Sequence, residues 1–305
     1  MIGRPIEGRV AGDKPGAPAV LEPEAVASLA QATRRAGSSG GAHAILRFVD
    51  ALLPYTSCLV TMLAAGRAPA LLYDDIRPEL HEAVVEAYLR GAYLLDPFYN
   101  CLARGLDRRV IKLQEIQPDH FRKSEYFSTY YTDTRLVDEV GIFVPCRGGS
   151  HVFVSLGRAA GTAPFSRRSF QRLQSWLPII DALLARQWDV DAFADAAAAP
   201  VTLDDTLRQG GFAALSARER EVVALILKGH SSTSIAWQLA IAVGTVKNHR
   251  KNIYRKLAVT SQAALFARFL RGIGYEPAAA FVHQRADSIP EGTYSSTHRG
   301  DTLSR

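Results

Sequence analysis

The chain is predicted to be α+β: an N-terminal antiparallel sheet covered by helices, followed by a C-terminal all-α unit of four helices. Three observations carry this. Five short β-leaning runs alternate with helical stretches between residues 58 and 156. After residue 215 the apolar spacing is helical throughout. The 305 residues, 48% hydrophobic, suffice for one sizeable core and a small second domain.

Residues 1–20 are rich in Gly, Pro and Ala without periodicity and are expected to be a flexible lead-in. An Ala-rich helix is predicted from Pro23 to Ala36. Glu22 and Glu24 at its start and Arg34 and Arg35 at its end match the helix dipole, and Gly37 stops it. A Ser-Ser-Gly-Gly hinge leads into a second helix from Ala42 to Leu53, closed by Pro54. Cys58 to Ala64 and Ala68 to Tyr73 are strand-like runs separated by Ala65-Gly66-Arg67, a turn of hairpin length. Pro78 to Gly91 reads as a helix with Leu80, Val84, Val85 and Tyr88 on one face, and Asp96-Pro97 opens a short helix reaching Arg104. Arg109 to Leu113 is a third strand, and Pro118 to Thr132 a helix dense in aromatics. Val140 to Cys146 and His151 to Leu156 form a closing hairpin, and a long helix from about Ser166 to Trp188 ends a domain assigned to residues 21–188. Ala, Asp, Pro and paired Gly make 189–214 a linker; a helical domain spans 215–272, and 273–305 is a flexible polar tail.

The chain has no uninterrupted apolar run of transmembrane length and no apolar signal-peptide segment near its start, so a cytoplasmic location is expected. Cys58, Cys101 and Cys146 are widely spread and odd in number, which argues against a disulfide framework. No His, Cys or acidic residues stand at metal-ligand spacing, so no metal and no cofactor are expected. Residues 1–200 carry no nucleophile elbow, phosphate loop, dinucleotide fingerprint or zinc-hydrolase motif, and no enzymatic activity is expected.

The most informative stretch runs from Leu215 to Val259. At 100° per residue, Val246, Ile253 and Leu257 fall on one side of a helix, while Lys247, Asn248, Lys251 and Arg255 gather on the other. A shorter helix precedes it, with Ser231 or Ser232 as N-cap and Ile235, Ala236 and Leu239 as its apolar stripe. Gly229 closes the helix before that. Two short helices, the second cationic on its outer face, make a helix-turn-helix whose second member enters a major groove. Charge runs are usually solvated faces, but residues 215–272 hold ten Lys or Arg against two Glu, a balance of +8 in a chain of net charge +6.

Arg218-Glu219-Arg220-Glu221-Val222, Gly229, Ile235-Ala236, Leu239, Ile241, Thr245-Val246-Lys247, His249, Asn252-Ile253, Lys256-Leu257 and Val259 together resemble the LuxR-type helix-turn-helix signature. The resemblance implies a four-helix domain whose third helix reads bases and whose fourth, about Ser261 to Arg271, contributes to dimerisation. Lys247, Asn248 and Lys251 would then face bases, Thr245 a phosphate, and Arg255 would extend the cationic side. Two positions depart. Ser232, Thr233 and Ser234 replace the usual Asn-Lys-Glu, removing a carboxylate; Ala242 stands where Ser or Thr would cap the reading helix, a loss of typically ~1 kcal/mol.

The element order of the N-terminal part is similar to GAF/PAS-like sensors, including autoinducer-binding domains. Tyr88, Asp96-Pro97, Gly141, Pro145 and Ser155-Leu156 carry that likeness. It implies that Asp96 accepts a hydrogen bond from a ligand amide, with Tyr88 among the aromatic residues around it; an enclosed cavity lined by Tyr88, Asp96, Tyr99 and Tyr130 would mark ligand sensing. Asp before Pro is equally a good helix N-cap, and the two roles are compatible. Val84 occupies the place of the Trp that would anchor a lactone carbonyl, so an acyl-homoserine lactone is not the expected ligand.

The expected function is a transcriptional regulator whose sensor domain controls DNA binding by a homodimer. Double-stranded DNA, a small-molecule effector and RNA polymerase are its expected partners, with no membrane. The competing readings are a regulator whose N-terminal domain serves only protein contacts, and a response regulator phosphorylated near Asp74 and Asp75.

Overall fold

A computed structural model describes residues 20–105, 108–132, 135–188 and 201–275. The lead-in, the first part of the linker (189–200) and the tail from 276 onward lie outside the described residues.

The five expected strands form one antiparallel sheet. β1 Ser57–Ala64, β2 Ala70–Asp74, β3 Val110–Lys112, β4 Leu136–Pro145 and β5 Ser150–Ala159 lie in the order β2-β1-β5-β4-β3. The final hairpin is longer than its apolar runs, pairing from Pro145↔His151 to Leu136↔Ala159. Polar residues continue the ladder because their groups are satisfied: Asp138 Oδ2 accepts the Phe165 N–H at 3.0 Å.

Strand alternation divides the molecule into two cores. Val60, Met62, Val110, Val140, Ile142, Val144, Val152, Val154 and Leu156 face one side. There they meet α1 Pro23–Arg35, α2 Gly41–Leu52 and α8 Arg167–Gln187, the last capped by Ser166. Leu63, Ile111, Phe143 and Phe153 face the other side, where that core continues without a break into the C-terminal helices.

On this second face the sequence predicts two regular helices, and both are irregular. Residues 78–90 comprise α3 Pro78–His81, a π turn Glu82–Glu86 and α4 Ala87–Arg90. A 3-10 turn Ala92–Leu95 and α5 Pro97–Ala103 follow, then α6 Leu113–Ile116 after β3. The aromatic segment is a 3-10 turn Phe121–Lys123, α7 Glu125–Phe127 and a π turn Ser128–Thr132, not one helix from Pro118 to Thr132. Ser124 interrupts it: this residue is extended, and its hydroxyl accepts the Phe127 N–H, starting a new helical turn.

The connecting segment also holds a helix that composition concealed, α9 Leu203–Gln209. Thr202 caps it, Asp204 and Asp205 lie in its first turn, and Leu203 and Leu207 are buried. The remaining helices match expectation: α10 Ala217–Leu227, α11 Ser232–Gln238, α12 Val243–Leu257 and α13 Gln262–Gly272. Among the described residues, no helix is long and apolar enough to cross a membrane.

Candidate functional site

Two candidate sites emerge, an exposed cationic face on α12 and a cavity under the sheet. Ser231, whose hydroxyl accepts the Ser234 N–H at 3.0 Å, caps α11, and Ala240 at φ +51° turns the chain towards α12. Val246, Ile253 and Leu257 are buried against α10 and α11, which fixes the rotation of α12. Thr245, Lys247, Asn248, Lys251 and Arg255 are consequently all exposed on the outer side. Ala242 makes no side-chain cap bond. The carboxylate missing at Ser232–Ser234 does not leave the domain without an internal ion pair, since Lys256 Nζ reaches buried Glu219 Oε2 at 2.7 Å. Glu219 also closes a capping box with Ser216 at the start of α10.

The cavity lies between the sheet and the 78–132 segment, with a volume of about 70 Å³. Of the expected ligand residues, Tyr88, Asp96 and Tyr130 line it and Tyr99 does not. Tyr99 packs on Tyr93 with ring centroids 4.8 Å apart, and its hydroxyl accepts the Gly66 N–H, so it serves the β1–β2 turn. Val84 is on the wall. Tyr126 and Tyr131 of the aromatic segment also line it, and the sequence reading assigned no ligand role to Glu139 or Ser155, which face it as well.

Asp96 caps α5 and also faces the cavity. Its Oδ1 accepts the Phe98 N–H at 2.8 Å, capping α5, and its Oδ2 accepts the Tyr88 hydroxyl at 2.8 Å. Burial pushes its carboxyl up to about 6, although those two bonds pull it down. Glu139 accepts the Ser155 hydroxyl at 2.5 Å and the Tyr131 hydroxyl. Burial, followed by the nearby Asp96 charge, pushes Glu139 up to about 7. Gly141 lets the Phe98 ring pack on the sheet, for a Cβ there would lie 2.7 Å from it.

The two sites share one segment. Tyr126, Tyr130 and Tyr131 face the cavity, while the residues just before them hold the helix-turn-helix. The His120 N–H donates to Gly229 O at 3.0 Å, and Asp119 Oδ1 accepts the Ser231 N–H at 3.0 Å. Gly229, at φ +91°, sits so close that a Cβ would come within 2.8 Å of Phe121 Cα. Burial in this seam pushes Lys228 down to about 8 and His230 down to about 4, with Arg104 adding to both shifts. At the far end, Arg90 Nη1 donates to Gly274 O at 2.9 Å.

Asp74 and Asp75, the acidic pair of the phosphorylation reading, are occupied structurally. Asp75 Oδ1 accepts the Cys58 N–H and Asp74 lies 3.5 Å from His81. Among the described residues, no group of three His, Cys, Asp or Glu could hold a metal ion.

Residues 213–268 match the family described as bacterial regulatory proteins, luxR family. The chain is 33% identical over 183 residues to a putative HTH-type transcriptional regulator of Aeromonas salmonicida, covering 57% of this chain and 93% of the relative. It is 29% identical over 224 residues to the monoamine regulon transcriptional regulator of Klebsiella aerogenes, covering 73% and 87%. Among solved structures, the VqsR LBD domain of Pseudomonas aeruginosa aligns at a TM-score of 0.47 and 21% identity over 53% of this chain and 94% of that one. The match to nearly the whole Aeromonas relative, the family model over α10 to α13 and the exposed cationic face of α12 agree: the chain belongs to the LuxR family of bacterial transcriptional regulators.

Proposed function

We propose that this regulator is ligand-responsive: residues 21–188 sense a small molecule, and residues 215–272 bind DNA as part of a homodimer. The observation that carries the DNA half is the solvent exposure of Thr245, Lys247, Asn248, Lys251 and Arg255 on a helix whose other side is locked into a core. In a dimer, two such helices one DNA turn apart would read paired half-sites. Replacing Lys251 by Ala should weaken specific DNA binding by roughly 1–3 kcal/mol, read as fluorescence anisotropy against a panel of duplexes. An equal loss on every sequence would make Lys251 a phosphate contact and remove it from the base-reading set.

The sensing half rests on a cavity whose wall, the 118–132 segment, also holds the turn that opens α11. A ligand alters DNA binding only if it favours one placement of that segment over another. Val84→Trp fills the cavity from the π turn and imitates occupancy. It should change the DNA affinity of the full chain by about fivefold or more, a coupling of ordinary size. Unchanged affinity in a folded variant would favour the reading in which the N-terminal domain serves only protein contacts.

A further inference from the structure

The cavity holds an unusual combination: two carboxyl groups, four tyrosines and, among the described residues lining it, no Lys, Arg or His. Asp96 is 5% exposed and Glu139 7%, and the Asp96 charge is among the causes that push Glu139 up. Among the described residues, donors satisfy only part of what the two carboxyl groups can accept. A carboxylate offers about four lone-pair positions, and each of these takes one protein bond per oxygen: Phe98 N–H and Tyr88 on Asp96, Ser155 and Tyr131 on Glu139. Buried charges are ordinarily paired with an opposite charge, and among the described residues lining the cavity there is no cationic side chain.

The ring faces add to the same preference. Tyr88, Tyr126, Tyr130 and Tyr131 line the cavity together with the acids, and the Tyr126 and Tyr130 rings lie 4.6 Å apart between centroids. Such faces attract cations and reject anions. Resting on the sensing reading, and deepening it, we infer that the cavity takes a compact organic cation, a primary alkylammonium whose NH₃⁺ donates to Asp96 and Glu139 and whose hydrocarbon part lies against the tyrosine rings. The size follows from the volume of about 70 Å³, room for roughly five water-sized groups.

The test uses the full chain and three probes with one skeleton: isobutylamine, isobutanol and isobutyrate, titrated calorimetrically at about pH 8. The amine should bind about tenfold more tightly than the alcohol, because hydrogen bonds to a charged partner are worth more than neutral ones, and the carboxylate should not bind. Asp96→Asn and Glu139→Gln should each remove most of that preference, lowering the affinity for the amine towards that for isobutanol. Affinity for the amine should also rise from about pH 5 to about pH 8 as the two carboxyls ionise. The other titratable groups facing the cavity, the phenols of Tyr88, Tyr126, Tyr130 and Tyr131 and the Cys58 thiol, stay neutral there, since burial pushes all five up.

Equal affinity for alcohol and amine, or an amine affinity indifferent to both variants, overturns the ammonium assignment while leaving a sensing cavity in place. Silence from all three probes overturns it too; the sensing reading is then judged separately by the DNA affinity of Val84→Trp.

Discussion

Asp96→Ala should destabilise the N-terminal domain by about 2–4 kcal/mol, the sum of two separable losses. Removing the cap from α5 frees the Phe98 N–H, at a typical cost of ~1 kcal/mol. Removing the acceptor of the Tyr88 hydroxyl strands a buried polar group, at about 1–3 kcal/mol. In a domain of this size the thermal midpoint should fall by about 5–15 °C. Asp96→Asn gives the counterpart. Its amide oxygen can still cap Phe98 and its NH₂ can donate to the Tyr88 oxygen, so the midpoint should stay near that of the parent. Cap and ligand group are thereby separated: the Ala variant reports on folding, the Asn variant on the charge. If Asp96→Ala melts with the parent, the two hydrogen bonds contribute nothing net and the cavity is not held by them.

Signals that are local in the chain made the C-terminal domain legible before any coordinates. The 3.6-residue period of Val246, Ile253 and Leu257 fixes which side of α12 is buried, and every cation assigned to the opposite side is exposed. Ser231 and Gly229 punctuate α11 and α10 where their chemistry demands. The cavity was legible only in part, because its lining depends on strand register and helix rotation. Tyr99 sits three residues after Asp96, yet the cap at Asp96 turns α5 so that Tyr99 points towards Gly66. Glu139 was missed for the opposite reason. In the run Val137-Asp138-Glu139-Val140 it looks like half of a solvated acidic pair, whereas alternation sends the two acids to different faces. Asp138 turns to Phe165, and Glu139 shares a face with Gly141 and Phe143. The available signal was the neighbourhood: β4 pairs Gly141 with Ser155 on β5, placing the Ser hydroxyl within reach of Glu139. Helix α9 was hidden by the Ala- and Asp-rich residues before it, although the cap at Thr202 and the buried pair Leu203 and Leu207 are ordinary helix signals.

Replacing Glu139 by Gln should stabilise the protein at high pH, by an amount that vanishes at low pH. The carboxyl ionises near 4.5 when unfolded and near about 7 in the fold, chiefly because burial disfavours its charge. Between those values the folded chain keeps a proton that the unfolded chain has released. The stability linked to Glu139 is therefore fully present below about 4.5, and it is lost as pH rises through about 7. At 1.36 kcal/mol per unit of pKa, the loss amounts to roughly 3 kcal/mol. A Gln side chain cannot ionise, and its oxygen and NH₂ can meet the Ser155 and Tyr131 hydroxyls. Urea unfolding followed by circular dichroism should show the variant equal to the parent near pH 4 and more stable above about pH 7. Because the Asp96 charge is among the causes that raise Glu139, Asp96→Asn should move the parent's decline to lower pH. Parallel pH profiles for parent and Glu139→Gln would mean that Glu139 is hydrated in solution. A cation in the cavity reverses the balance: it holds both carboxyls ionised, so the destabilisation that burial imposes on the empty protein becomes binding free energy for the ligand.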